Sequence, residues 1–544
     1  MLNSSRLPRA GLLALYKSAF IPATVIIVAL CVSFEPFWET NDDVAMSMIA
    51  HGHGIAAYSS PHLIFSNVLW GYLASALPPV NGVVGYSWLT LTMLFIAVWS
   101  MLYFLGRLET NRFLAFGAVL LIAARAVCFP QFTIVAGLLT VSAVMGWITY
   151  AKTSSLHILL AATLLGFAGF LIRDQEFFFV MLVALPLLPW RILIKDKRFM
   201  VSVAVLICCA LAATLVDRQS YKSESWQAFQ KFNPVRVQFT DYGAGDFIKS
   251  RFDLKDHFKY SNNDLDLLAN WFFVDTTITD PDKLGEMLKE RNLSTRLSEN
   301  NNFRSGLQGG KHALTSLADP YILPLEIALL GLLFLTSRRW QMAGATGIFL
   351  LAIIAVGLLG RPGIFSVYYP AIALLVVSPL LLGNAKRPAV ITRAAAFVIL
   401  AFACITAFKH IVPENRFASA YNKLVQKDVA KLKANENNFP YYVAWAQFFP
   451  YEYAYPLLHP PPALHFYALN SFTNAPFSVS FSENEAGRGL ARQLLSGQPV
   501  PIIATDKLYD MLAIWCRERF KNDLQKRLIE GMTFKMFLVT CGNT

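Results

Sequence analysis

Residues 112–152 read RFLAFGAVLLIAARAVCFPQFTIVAGLLTVSAVMGWITYAK, and their reading decides the fold. Two apolar runs, 112–129 and 131–150, meet at Pro130 and are flanked by Arg112 and Lys152. About 20 predominantly apolar residues suffice to cross the hydrocarbon core of a bilayer. A proline between two such runs ends one helix and lets the next begin. The stretch therefore reads as a tight transmembrane hairpin.

Working outward, nine more runs share this character, near 18–34, 84–105, 155–172, 176–190, 199–216, 320–336, 341–360, 364–384 and 392–411. The composition agrees: 55% of the 544 residues are hydrophobic and 15% are charged, against roughly a quarter charged in soluble proteins. The 42 Phe and 20 Tyr suit interfacial belts and ring-lined cavities as well as core packing. The net charge of +12 does not point to nucleic acid, because most of the excess sits in short loops between apolar runs. No repeat, low-complexity tract, CxxC or zinc-ligand spacing is present.

Lys and Arg concentrate in cytoplasmic loops. With the N-terminus inside, the inner loops carry Arg107 and Arg112, then Lys152, then Arg191, Lys195, Lys197 and Arg198. Arg338 and Arg339 follow, then Lys386, Arg387 and Arg393. The outer short loops carry Glu35, Glu39, Asp42, Asp43, Arg173, Asp174, Glu176 and Arg361. The expectation is a polytopic α-helical protein of the bacterial inner (plasma) membrane with about eleven transmembrane helices. Its N-terminus is cytoplasmic and its C-terminus extracytoplasmic. Arg6, Arg9 and Lys17 before the apolar residues 20–32 imitate a signal peptide, but 30–36 offers no small-x-small cleavage site, so an uncleaved first span is expected.

Four parts follow. Residues 1–216 form an N-terminal membrane module of seven spans, with a first outer loop at 35–83 that carries short amphipathic helices near 44–53 and 62–76. Residues 217–319 form an extracytoplasmic soluble insert with charged helices such as 280–296, and 320–411 form a second membrane module of four spans. Residues 412–544 form a small extracytoplasmic α/β domain, whose end reads strand (500–504), helix (507–528, capped by Thr505 or Asp506) and strand (534–539). Cys516 and Cys541 lie there, where a disulfide is permitted.

The acidic run Glu39-Thr40-Asn41-Asp42-Asp43 precedes an apolar helical stretch. Paired carboxylates can activate a hydroxyl or hold a divalent cation. They are also preferred at helix starts, where they cap backbone N–H groups and face the positive dipole end. His51, His53 and His62 follow, but residues two apart do not share a helix face, and Gly52 and Gly54 argue for a turn. Arg173-Asp174-Gln175-Glu176 separates two spans, and Arg is suited to clamping phosphate. Arg125 lies inside a span, which commonly means that it faces a protein interior or a wet cavity. Arg361-Pro362-Gly363 closes another span on the outer side. The insert mixes aromatics, amides and acids (Trp226, Asn233, Arg236, Asp241, Trp271, Asp275) in a pattern that serves either a sugar site or a small domain's own core.

An acidic motif in the first outer loop, followed by many spans and an outer C-terminal domain, resembles the GT-C class of membrane glycosyltransferases. Asn41-Asp42-Asp43-Val44, Pro61-His62-Leu63, Asn67-Val68-Leu69-Trp70-Gly71 and Leu171-Ile172-Arg173 resemble bacterial multi-span proteins of unassigned function. The resemblance implies a lipid-linked donor, a polyprenyl-phosphate sugar, and a glycan, lipid or protein acceptor. It makes Asp42 or Asp43 the base, with Arg173, Arg125 or Arg361 meeting the phosphate and Asn41, His62 and Glu176 near the substrates. It demands no cofactor, with a divalent cation compatible. Inversion at the anomeric carbon follows from a single displacement. A transporter or flippase of lipid-linked sugars would place ionisable groups at the bilayer midplane. An O-antigen polymerase or ligase would rely on outer arginines and a histidine. Membrane lipids are expected partners and nucleic acid is not.

Overall fold

The computed structural model describes residues 9–296, 299–361, 363–383 and 390–542; Lys386, Arg387 and Pro362 lie outside them. The chain begins with α1 (Arg9–Ser33), then two short helices of the first loop, α2 (Asn41–His51) and α3 (Val68–Ala76). Next come α4 (Gly85–Arg107), α5 (Arg112–Cys128), α6 (Phe132–Thr153), α7 (Leu156–Ile172) and α8 (Asp174–Ala184). Helices Lys197–Ser220, Leu323–Leu332, Arg339–Leu358, Phe365–Leu382 and Val390–Ala434 occupy the remaining apolar runs. Eleven helices thus answer the eleven runs.

Six of the described helices are long and apolar enough to cross a membrane, or seven if the bent pair Gly306–Ala318 and Leu323–Leu335 is one span. The others are α1, apolar over Ser18–Ser33, and three short helices: α5 and α7 have 17 residues, and α8 has 11 before turns over 185–187. Seventeen residues rise about 25 Å, less than the roughly 30 Å of a bilayer core.

A helix that is apolar on all sides must be covered on all sides. Accordingly α6 is buried throughout from Phe132 to Tyr150, against α4, α7, α8 and Phe365–Leu382. Gly169 lets α7 approach it, since a Cβ there would collide with Thr140 Oγ1 and the Ala136 carbonyl.

The two helices of the first loop differ from their expected bounds. Helix α2 starts at Asn41, placing Asp42 and Asp43 in its first turn, where negative charge faces the helix's positive end. Helix α3 starts only at Val68, because Ile64 is left-handed (φ 67°) and Asn67 caps the helix, accepting from Leu69 N at 3.0 Å.

The C-terminal region holds β1 (Tyr442–Trp445), β2 (Phe466–Leu469), β3 (Val500–Ile503), β4 (Leu524–Ile529) and β5 (Met536–Cys541) in the order β2-β1-β3-β5-β4. The first three are parallel, and β5 runs antiparallel to β3 and β4. The helix expected over 507–528 is Asp506–Phe520 instead; Lys521 turns left-handed (φ 61°), and the next residues become the edge strand β4. Its exposed Lys526 and Arg527 suit an edge that should not recruit another strand. The opposite edge, at β2, is covered by the first loop, where Phe466 N donates to the Gly54 carbonyl (2.9 Å). Cys516 and Cys541 are bridged, tying Asp506–Phe520 to β5.

The insert and the C-terminal region, expected as separate units, share one hydrophobic core. The Trp445 indole donates to the Asn270 carbonyl (2.6 Å), and Arg519 pairs with Asp264 (2.7 Å) and Asp275 (2.9 Å) of the insert. The 45-residue helix Val390–Ala434 runs unbroken past Ile411, so the expected boundary at 411 falls inside a helix.

Candidate functional site

At one end of the bundle lie the turns between α5 and α6, between α7 and α8, and between Arg339–Leu358 and Phe365–Leu382. A cavity of about 640 Å³ sits there, lined also by the first loop, the insert and the C-terminal region. That volume is in the range of sites for whole small molecules.

Four helices start at this cavity. Asn41 and Asp42 belong to the first turn of α2, Phe132 and Thr133 to that of α6, Gln175 and Glu176 to that of α8, and Ser366 and Val367 to that of Phe365–Leu382; all eight line the cavity. Helix N-termini carry partial positive charge, so their convergence favours an anion, with Phe132 N and Gln175 N already taken by Asp43 and Asp174.

Three arginines add to this field. Arg173 donates to the Phe65 carbonyl (3.1 Å) and to Gln175 Oε1 (3.0 Å), with Phe65 and Phe132 flanking its guanidinium. Among the described residues it has no ion-paired carboxylate. Arg236 bonds Asn233 Oδ1 (2.8 Å) and Thr240 Oγ1 (3.4 Å) and is likewise without a carboxylate partner there. Half-exposed Arg361 donates to the Tyr242 hydroxyl (2.9 Å) and lies 3.7 Å from Asp241.

The acids of the first loop separate into different duties. Glu35 meets His459 (2.9 Å). Glu39 grips Arg125 (2.6 Å). Asp43 is fully buried: its Oδ1 accepts from Phe132 N (2.8 Å), capping α6, and its Oδ2 accepts from the Thr40 hydroxyl (3.1 Å). Asp42 lines the cavity and accepts no hydrogen bond among the described residues. Its carboxylate touches solvent, yet protein surrounds it on the cavity walls. That enclosure pushes its pKa above the ordinary value, while Arg173 pulls it back.

Of the residues singled out from the sequence, Asn41, Asp42, Arg173, Glu176 and Arg361 therefore meet in one cavity, together with Asn233, Arg236, Asp241 and Trp271 of the insert. Asp43, Arg125 and His62 do not line it. His62 packs against Tyr221 and Trp226 and bonds Ser60 Oγ (3.1 Å) and the Ser220 carbonyl (3.2 Å), fastening the first loop to the insert. Arg125 is held by Glu39 and Glu414 between the Phe129 and Tyr321 rings.

Three polar side chains lining the cavity hold buried atoms without hydrogen-bond partners: Asn41 Oδ1, both oxygens of Glu176 and the Tyr451 hydroxyl. Buried polar groups are ordinarily satisfied, so these leave hydrogen-bonding capacity at the cavity wall. Two lining residues, Trp271 (φ 58°) and Ala446 (φ 55°), adopt the left-handed backbone. Such conformations cost of order 1–3 kcal/mol each and gather at functional sites. Sequence reasoning missed the whole C-terminal contribution: Gln447, Asn470, Ser471 and Phe472 follow strands only four residues long, too short to announce themselves by alternation. Among the described residues no group of three or more His, Cys, Asp and Glu has metal-binding geometry.

No protein-family model, curated protein or solved structure matches the chain, so its chemistry is read from the cavity itself.

Proposed function

We propose that this is an inner-membrane glycosyltransferase that moves a sugar from a polyprenyl-phosphate donor to an extracytoplasmic acceptor in the cell envelope. The carrying observation is the meeting of four helix N-termini and three arginines with the unbonded carboxylate of Asp42 in one cavity. An anionic head fits the first two, and a base for a hydroxyl fits the third. With α1 and the helices too short to cross alone, α5, α7 and α8, which pack against the longer ones while α7 and α8 keep Leu160, Leu164 and Phe178 exposed, the set reaches about eleven spans. The cavity end then faces away from the cytoplasm, because Arg107, Arg112 and Lys152 lie at the opposite helix ends. Reporter fusions after Leu108 and Asp196 are expected to report cytoplasm, and fusions after Ser60, Tyr260 and Ser480 the outside.

In the reaction, the Asp42 carboxylate takes the proton of the acceptor hydroxyl as that oxygen bonds the anomeric carbon. The bond from that carbon to the phosphate oxygen breaks, and its electron pair stays on the phosphate. Arg173 and the helix ends meet the charge so gained, in a cavity where such interactions exceed their strength in water. Direct displacement inverts the anomeric configuration. Asp43 acts at one remove, by holding the start of α6.

The test is envelope-glycan and lipid-linked-sugar profiling of a deletion strain. Loss of one sugar, restored by the wild type and not by Asp42→Asn, is expected. Unchanged glycans, or restoration by Asp42→Asn, would refute the reading, and the second result would favour a transporter.

A further inference from the structure

The cavity has a second half that the donor chemistry does not use. The loops leaving the carboxyl ends of β1 and β2 enter it: β1 ends at Trp445 and is followed by the lining residues Ala446 and Gln447, and β2 ends at Leu469 and is followed by Asn470 and Ser471. These neighbouring strands are parallel, and in open α/β sheets the crevice beyond the carboxyl ends of parallel strands is where ligands bind. The insert faces them with Trp271 and Asn233. The rim is held rigidly, since Ala446 N donates to the Leu469 carbonyl (2.8 Å) and the Trp445 indole donates to the Asn270 carbonyl beside Trp271 (2.6 Å). Ala446, left-handed, is thus bonded within the C-terminal region, and Trp271, also left-handed, follows the residue whose carbonyl joins the two soluble regions.

The contributions of the two halves differ in kind. The bundle, the first loop and the insert's Arg236 and Asp241 supply charge, whereas the strand-end loops supply two uncharged amides and a hydroxyl, Gln447, Asn470 and Ser471, beside an indole. Neutral amides and hydroxyls match sugar hydroxyls, which both donate and accept hydrogen bonds. An aromatic face covers the apolar face of a pyranose ring. An extended peptide would instead need a free strand edge, but β4 is a charged edge outside the cavity and the first loop covers β2.

Resting on the glycosyltransferase reading, we infer that the strand-end loops and Trp271 form the acceptor subsite, and that the acceptor is a saccharide rather than a protein or a lipid. The test probes full-length protein in nanodiscs against immobilised bacterial oligosaccharides, peptides and lipids, with polyprenyl-phosphate binding followed in the same preparations. Saccharide binding is expected. It should fall at least tenfold in Trp271→Ala and severalfold in Gln447→Ala, with Trp271→Phe retaining part of it. Polyprenyl-phosphate binding should be unchanged in all three variants. Gln447 is exposed and makes no hydrogen bond among the described residues, so its variant probes the site without disturbing the core. No saccharide signal, a preference for peptides or lipids, or saccharide binding unaffected by Gln447→Ala and Trp271→Ala overturns the inference. If wild-type phosphate binding persists, only the acceptor assignment falls. If it is lost as well, the glycosyltransferase reading falls with it.

Discussion

The first loop feeds two charge assemblies, one through Glu39 and one through Asp42, that differ in how fully their charges are paired. At one, Arg125 donates to both oxygens of Glu39 (2.8 and 2.6 Å) and to the carboxylate of Glu414, with the Phe129 and Tyr321 rings centred 4.1 and 4.0 Å from its guanidinium carbon. Its side chain is only 5% exposed. At the other, Arg173, Arg236 and Arg361 surround a cavity and bond mainly to neutral partners, with Asp42 left unbonded. The first is a closed set that joins the loop, α5 and the helix Val390–Ala434. The second is open, with hydrogen-bonding capacity facing the cavity. An arginine inside an apolar helix is thus no guide to a ligand site until its partners are counted.

The comparison is broken most sharply at the carboxylates. Asp42→Asn is expected to lower transfer by about 10²–10⁴, the usual worth of a positioned general base, with the protein still accumulating in the membrane. Asp43→Asn keeps one oxygen for Phe132 N and should retain most turnover. A loss shared evenly among variants at Glu35, Glu39, Asp42 and Asp43 would mean that the loop acts only through its summed charge.

The closed assembly should respond in stability. Arg125→Ala strands two carboxylates against the bundle, and removing one partner of a buried ionic set costs about 3–5 kcal/mol. Thermal unfolding in nanodiscs should show this directly, and an Arg125→Ala protein as stable as the wild type would erase the distinction.

The open assembly should respond in binding, and more mildly. Arg173→Ala is expected to weaken polyprenyl-phosphate binding at least roughly tenfold, from a charged hydrogen bond of about 1.5–3 kcal/mol, with little change in unfolding temperature. Arg173→Lys should keep part of the affinity, because a point charge replaces a fork.

The smallest effect is on pH. Asp42 must be ionised to accept a proton, and its enclosure places its pKa above the ordinary carboxylate value. The rate should therefore fall on acidification at a pH higher than an exposed aspartate would give. Arg173 opposes that rise. Its residual activity as Ala should thus fail at a higher pH still, and a shift toward lower pH would contradict the assignment.

Much of this was legible in the sequence because hydropathy is a local property. All eleven apolar helices and the alternation of charge in the loops between them can be read residue by residue. The gathering of Asn41, Asp42, Arg173, Glu176 and Arg361 followed from their common side of the bundle. What stayed hidden depends on distant partners. Nothing near Arg125 announces Glu414, 289 residues on. Nothing in Asp42-Asp43 says that one will cap α6 while the other faces the cavity. The helix expected to reach 528 stopped at Phe520, because pairing with β5 outweighed the helical propensity of Leu524-Gln525-Lys526-Arg527. The strand-end loops went unseen for the same reason, since β1 and β2 exist only through pairing with each other and, for β1, with β3.

The most direct measurement of the central claim is binding of the purified wild-type protein in nanodiscs to polyprenyl phosphate, with neutral polyprenol of the same chain length as control. If the cavity is built for a lipid-linked anionic head, the phosphate should bind at least roughly tenfold tighter than the alcohol, as one charged hydrogen bond alone would give. Equal affinity for the two would mean that the four helix ends and three arginines do not serve a lipid phosphate, and the donor assignment would be wrong.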